Sequence, residues 1–247
     1  MITIINMGPG TGMIMRMGMA MSTIDAAALY RLMAWLSPAY PTGAFSYSHG
    51  IEYAVEAGLI ADRASLVSWV DHILSQGAGR VDAILFCAAY EAAHDTAALD
   101  GIVELAAAFR GTAETALESA RQGAAFLAAT RAAWPDARVE AFAARRGEGA
   151  IALPVAVALA CAGRVGLELA LAAYLQAFGA NLISAGMRLI PLGQTEGQQA
   201  LAALEPVVAR AAAAALATPI EEIGSSALMV DWTSMRHETQ YSRLFRS

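Results

Sequence analysis

The sequence contains no lysine: all sixteen basic residues in its 247 are arginine. That absence removes the P-loop lysine, the Schiff-base lysine and the lysine general base from the possible chemistry. Nucleotide hydrolysis involving this chain is therefore expected to be done by a partner. Cysteine is scarce. Cys87 and Cys161 stand far apart in apolar surroundings and form no CxxC or zinc pattern, which makes them small core hydrophobes of a reduced cytosol. Positive charge is also in deficit. The formal net charge is −6, whereas nucleic-acid binders usually carry a basic patch, so no nucleic acid is expected. A mean hydropathy of +0.47 raises the question of a membrane span. Ile151–Gly163 is too short for a hydrocarbon layer of ~30 Å and contains Pro154. Val165–Ile190 is long enough but carries Glu168, Gln176, Asn181 and Arg188, each costly in lipid. A buried core helix is expected there, and no membrane.

What is present is apolar and largely alanine, with a hydrophobic fraction of 57%. Alanine is the best helix former and the smallest apolar side chain, so it favours closely packed helices. Seven of the eleven methionines fall at or before Met21, mixed with glycine. Residues 1–21 read as a disordered leader, or as the product of a start assigned upstream of a true initiator at Met21. Their thioethers also allow a soft-metal-binding tail. No basic start precedes a continuous apolar stretch, so they make a poor signal peptide.

From 22 onward apolar residues recur at helical spacing. Ser22 or Thr23 is expected to cap a helix running to Leu36, with Leu29, Leu32, Met33 and Leu36 on one face. Further helices are expected at 45–58, from Asp62 with Leu66, Val70, Ile73 and Leu74 inward, and at 80–94, 98–109, 112–133 and 136–145. The series continues with 150–162, 164–190, 195–217 and 219–236. No strand alternation or repeat period stands out. The expectation is an all-α fold, a single-domain helical bundle of about ten helices over 22–236, followed by a tail at 237–247.

Three segments stand apart from this pattern. Ser37–Glu52 (SPAYPTGAFSYSHGIE) is dense in turn formers, hydroxyls and aromatics. Its Ser46–Gly50 portion has the outline of a nucleophile elbow but lacks the glycine at 46 and the preceding strand, leaving a serine hydrolase on Ser48 and His49 as an alternative reading. His49 pairs in sequence with Glu52, and His94 with Glu91, yet neither forms H-x-x-x-H; satisfied surface or capping histidines are expected. Arg188–Gln198 (RLIPLGQTEGQ) is a helix–turn–helix corner, where Pro191 and Gly193 end one helix and Gln194 or Thr195 begins the next. The tail keeps Tyr241, Leu244 and Phe245 among Arg236, Arg243 and Arg246, and aromatics and arginines are the residue types enriched at binding hot spots.

Together, SPAYPTGAFSYSHGIE, RLIPLGQTEGQ and HETQYSRLFRS, in that order, resemble the urease accessory protein family UreF. The resemblance spans Met21 to Ser247 and leaves out the leader. It implies an all-helical, dimeric, cytoplasmic protein that is not an enzyme and has no cofactor of its own. Such a protein associates with UreD (UreH), recruits the GTPase UreG and assembles on apo-urease as a co-chaperone. Nickel and GTP are handled through those partners, and GTP hydrolysis is coupled to nickel insertion. The same resemblance makes Tyr241, Arg243, Leu244, Phe245 and Arg246 the anchors for UreD. It places Tyr47, Ser48, His49 and Glu52 on a surface facing the partners, with Gln194 and Gln198 in a corner that is structural, shared with the interface, or both.

Overall fold

The computed structural model describes residues 25–147 and 149–246. The Met/Gly-rich leader and the Ser22 and Thr23 caps lie outside the described residues. Within them the fold is all-helical, with twelve α-helices. These are α1 (Ala26–Trp35), α2 (Ile51–Glu56), α3 (Arg63–Gln76), α4 (Ala78–Glu91), α5 (Thr96–Ala108) and α6 (Ala113–Ala133). They continue with α7 (Ala137–Arg146), α8 (Leu153–Cys161), α9 (Leu167–Leu189), α10 (Gln194–Ala203), α11 (Glu205–Leu216) and α12 (Leu228–His237). Short 3₁₀ turns at Ala44–Ser46, Ala92–His94 and Ile220–Glu222 join several of them.

Side-chain caps set many of the starts. Asp25, Asp62, Asp95, Thr112 and Asp136 each accept a backbone N–H from the first turn of the helix that follows. Asp62 does so as expected, and Leu66, Val70, Ile73 and Leu74 are buried as expected. The first helix differs. Asp25 is its described cap, and its buried face is Ala28, Leu32 and Trp35, while Leu29 and Met33 are exposed. Trp35 turns that helix because it packs edge-on against Phe126 and Trp134.

The centre of the bundle is α4 and α8. In α8 every residue from Pro154 to Cys161 is buried, as befits a helix apolar all round, and Pro154 sits in the first turn where its missing N–H is harmless. Both cysteines are buried and free, with burial pushing their thiols up to about 12. α9 and the combined α10–α11 stretch have the length and hydropathy of a membrane span, but half of the apolar window in α9 is buried against the other helices. α3, α4, α8, α10 and α11 all pack on α9.

Three helix boundaries depart from expectation. The 195–217 segment is two helices, because Pro206 lacks an N–H and its ring cannot follow a continuous turn. The 219–236 segment is a 3₁₀ turn and an extended run before α12, which continues through His237, so the tail boundary drawn at 237 falls inside a helix. The 45–58 helix starts only at Ile51. His49 and Gly50 adopt φ of 56° and 77°, which no right-handed helix contains. Glycine is required at 50 twice over, because a Cβ there would lie 2.7 Å from the Ser234 backbone nitrogen.

Small residues let these helices approach. A Cβ on Gly123 of α6 would fall onto the Ile151 carbonyl oxygen that leads into α8, whereas Gly101 on the exposed side of α5 has open space around it. Gly123→Ala is therefore expected to lower unfolding free energy by about 3 kcal/mol. Gly101→Ala is expected to raise it by up to about 1 kcal/mol. Urea denaturation of the two variants beside the parent checks both signs.

Candidate docking site around the C-terminal segment

The three segments set apart in the sequence meet in space. Arg188 of α9 donates from Nη1 to the Phe45 carbonyl at 2.8 Å, and its guanidinium lies 4.3 Å from the centroid of the Phe245 ring. Arg246 donates its backbone N–H to the Ser46 carbonyl at 2.8 Å. Gln194 and Gln198, at the start of α10, line the same cavity as Phe45 and Arg188. The contact of Arg188 with Phe245 is a cation–π interaction, of order 1–2 kcal/mol when partly desolvated.

Beneath the segment lies a buried ionic network. His237, in the last turn of α12, is completely buried. Its Nε2 is 3.1 Å from Glu52 Oε2 of α2, and its Nδ1 is 2.9 Å from Glu114 Oε2 of α6. His237 thus has a carboxylate within hydrogen-bond distance of each ring nitrogen. Glu52 then accepts the backbone N–H groups of Leu244 at 2.6 Å and Phe245 at 2.8 Å. Arg243 reaches Glu114 Oε1 at 3.2 Å. Burial pushes the Glu114 carboxyl above its usual range, against the pull of His237 and Arg243.

This network fixes what faces outward. Phe245 is 4% exposed and anchors the segment inward, while Leu244 is 65% exposed and Tyr241 fully exposed. Arg243 and Arg246 are exposed. On α12, Leu228, Trp232 and Met235 recur at i, i+4 and i+7 and are exposed, as is Met229. Trp232 stands edge-on to Tyr53 at 5.4 Å, and Arg236 donates to the Tyr53 hydroxyl.

The first segment needs correction. Tyr47, Ser48, His49 and Glu52 are all buried, so in this chain alone they do not form a surface facing partners. Ser48 is wholly enclosed and its Oγ accepts the Glu52 N–H at 3.4 Å, which is capping chemistry; a hydrolase nucleophile would need exposure it does not have. His49 is not a surface histidine. Its Nδ1 sits 3.1 Å from Glu118 Oε2, at an ion-pair distance but without hydrogen-bond alignment. Gln194 and Gln198 are exposed. Among the described residues, no group of three His, Cys, Asp or Glu side chains is arranged to hold a metal ion.

The sequence reading missed Glu114 and Glu118. Their spacing held a signal. Two glutamates at i, i+4 on one helix repel unless cations face them, and the facing groups are His237 and His49.

A UreF family model matches residues 60–205. A protein of Granulibacter bethesdensis named urease accessory protein UreF is 53% identical over 229 residues, covering 92% of this chain and 97% of its own length. Relatives of the same name from Rhodopseudomonas palustris (strain BisA53) and a Methylobacterium species are 50% and 48% identical. They cover 92% and 87% of this chain, and 97% and 87% of their own lengths. The chain belongs to the UreF family. The segment over which the family model matches holds the α9–α10 corner, while the first and last segments lie outside it.

Two outcomes follow for this family member. Glu52→Ala removes a charged acceptor from two backbone amides, each bond worth about 1.5–3 kcal/mol. Hydrogen exchange at Leu244 and Phe245 should accelerate at least ~10-fold, with amides of α4 and α8 unchanged. The second concerns pH. Desolvation pulls the His49 pKa down, but the Glu118 carboxylate and, further off, Asp82 more than reverse this, so it is raised above 6.5. A raised folded pKa gives stability that is full below pH 6.5 and lost as pH rises through the folded value. Urea midpoints from pH 6 to 9 should fall accordingly, and His49→Asn, which keeps a residue tolerant of positive φ, should flatten that slope.

Proposed function

We propose that this chain acts in urease maturation as a non-catalytic, cytoplasmic scaffold that grips UreD (UreH) through its C-terminal face. One observation supports this best: an aromatic and apolar face, from Leu228 to Leu244, is held outward by a buried network that anchors Phe245 inward. Exposed Tyr and Trp with arginines at the rim are the composition of a binding hot spot. Tyr241, Leu244, Arg243 and Arg246 are the contact groups in this reading. Phe245 and the buried block at Tyr47, Ser48, His49 and Glu52 act from below, by fixing the segment. Recruitment of UreG to apo-urease, homodimer formation, and coupling of GTP hydrolysis to nickel insertion belong to the same proposal. It assigns nickel and GTP to the partners and no cofactor to this chain, in keeping with the missing lysine.

Co-expression with the UreD of the same genome tests the reading. Truncation after Arg236 is a poor probe, because it removes His237 and leaves Glu52 and Glu114 buried without the imidazole that faces them both. Tyr241→Ala with Leu244→Ala touches only exposed side chains. This double variant should keep the parental urea midpoint and lose at least ~10-fold in UreD recovery, since hot-spot truncations cost about 2 kcal/mol or more each. Recovery equal to the parent would refute the assignment of the tail.

A further inference from the structure

The cavity between α6, α9 and the 37–50 loop, of about 640 Å³, has a floor unlike its walls. Phe126, Leu153 and Val157 line the apolar side, while the floor holds two ion pairs. Arg110 Nη1 donates to Asp82 Oδ1 at 2.7 Å, and His49 Nδ1 faces Glu118 Oε2 at 3.1 Å. Each carboxylate has a further neutral donor. The Tyr174 hydroxyl donates to Asp82 Oδ2 at 2.7 Å, and Gln122 Nε2 to Glu118 Oε1 at 2.9 Å. The cations are left incomplete. Arg110 Nη2 and His49 Nε2 are both buried and, among the described residues, have no hydrogen-bond partner. Their side chains are 7% and 8% exposed.

Unmade bonds on buried charged donors are expensive, about 1–3 kcal/mol each and more where charged. Such donors ask for an acceptor, and a negatively charged one is favoured where the dielectric is low. We propose that the cavity floor binds a small planar oxyanion of the carboxylate type, held by Arg110 Nη2 and His49 Nε2. Phe45, Gln194 and Gln198, all exposed, lie on the same cavity and form its mouth. A carboxylate has enough lone pairs to serve both donors at once, whereas a single water meets them without countercharge. This site stands independently of the urease reading, since it needs neither UreD nor the exposed face of α12.

The test uses the full-length chain, titrated with sodium formate and separately with sodium acetate, with ionic strength held constant by sodium chloride. The readout is the ¹⁵N spectrum of the four histidine side chains, with thermal midpoint as a second measure. Formate should shift one imidazole saturably, that resonance being the one missing from His49→Asn, and raise the midpoint. Arg110→Lys retains a charge opposite Asp82 but lacks Nη2, and should bind at least tenfold more weakly. If that variant does not fold, the parental spectrum decides the matter. A formate effect no larger than that of chloride, a shift at His72, His94 or His237 without His49, or equal affinity in Arg110→Lys would each overturn the site. Sulfate binding as tightly as formate would overturn its planar carboxylate character.

Discussion

Glu52 accepts two backbone amides from one end of the chain while facing an imidazole seven and eight residues before them, and it does so from a helix of only six residues. Much of the functional architecture depends on that arrangement. A helix as short as α2 has little stability of its own, because its nucleation cost is spread over few bonds. It is held where it is by the left-handed turn at His49–Gly50 on one side and by α12 on the other. Gly50 lets α12 come close enough for His237 to enter between Glu52 and Glu114. With the carboxylate fixed, the final residues find two acceptors in register, and Phe245 turns in beneath Arg188.

Such a network contributes less to stability than its number of contacts suggests. Desolvating three or four ionised groups costs several kcal/mol per ion, and a well-packed apolar cluster of similar volume is often as stable. An apolar cluster, however, offers nothing to a backbone N–H. The amides of Leu244 and Phe245 need acceptors at one spacing, so a carboxylate selects one register of the segment where methyl groups would tolerate several. Selection of register is what places Tyr241 and Leu244 outward. Preorganised in this way, the segment pays less conformational entropy on meeting a partner than a free terminus would.

Helix existence was legible in the sequence because apolar spacing and capping residues are local. The Asp62 cap and the inward face of α3 follow from a few adjacent residues, and the structure agrees. The errors lie where something distant decides. Leu29 and Met33 have the spacing of an inward face, but Trp35 finds Phe126 and Trp134 and rotates α1 toward them. Phe45 begins a helical pattern, yet the demand of α12 for space at Gly50 delays the helix to Ile51. The site behaved in the same way. Three segments could be singled out, but an outward hot spot and an inward anchor share one composition. Phe245 and Leu244 are neighbours in sequence and opposites in exposure, and Glu52 and Arg188 settle which is which.

The same distinction separates the two buried histidines. His237 has a carboxylate at each nitrogen and is consumed by the fold, so it stabilises one arrangement of the terminus. His49 faces one carboxylate through Nδ1 and, among the described residues, has no hydrogen-bond partner on Nε2, with Arg110 Nη2 in the same condition. Both sit on glutamates of α6 four residues apart, so a single helix face serves a closed ionic site and an open one. A closed site needs only folding to be complete. An open one keeps donors unsatisfied in a low-dielectric floor, and that cost is tolerable in a stable bundle where water or an anion can reach it from the mouth at Gln194 and Gln198.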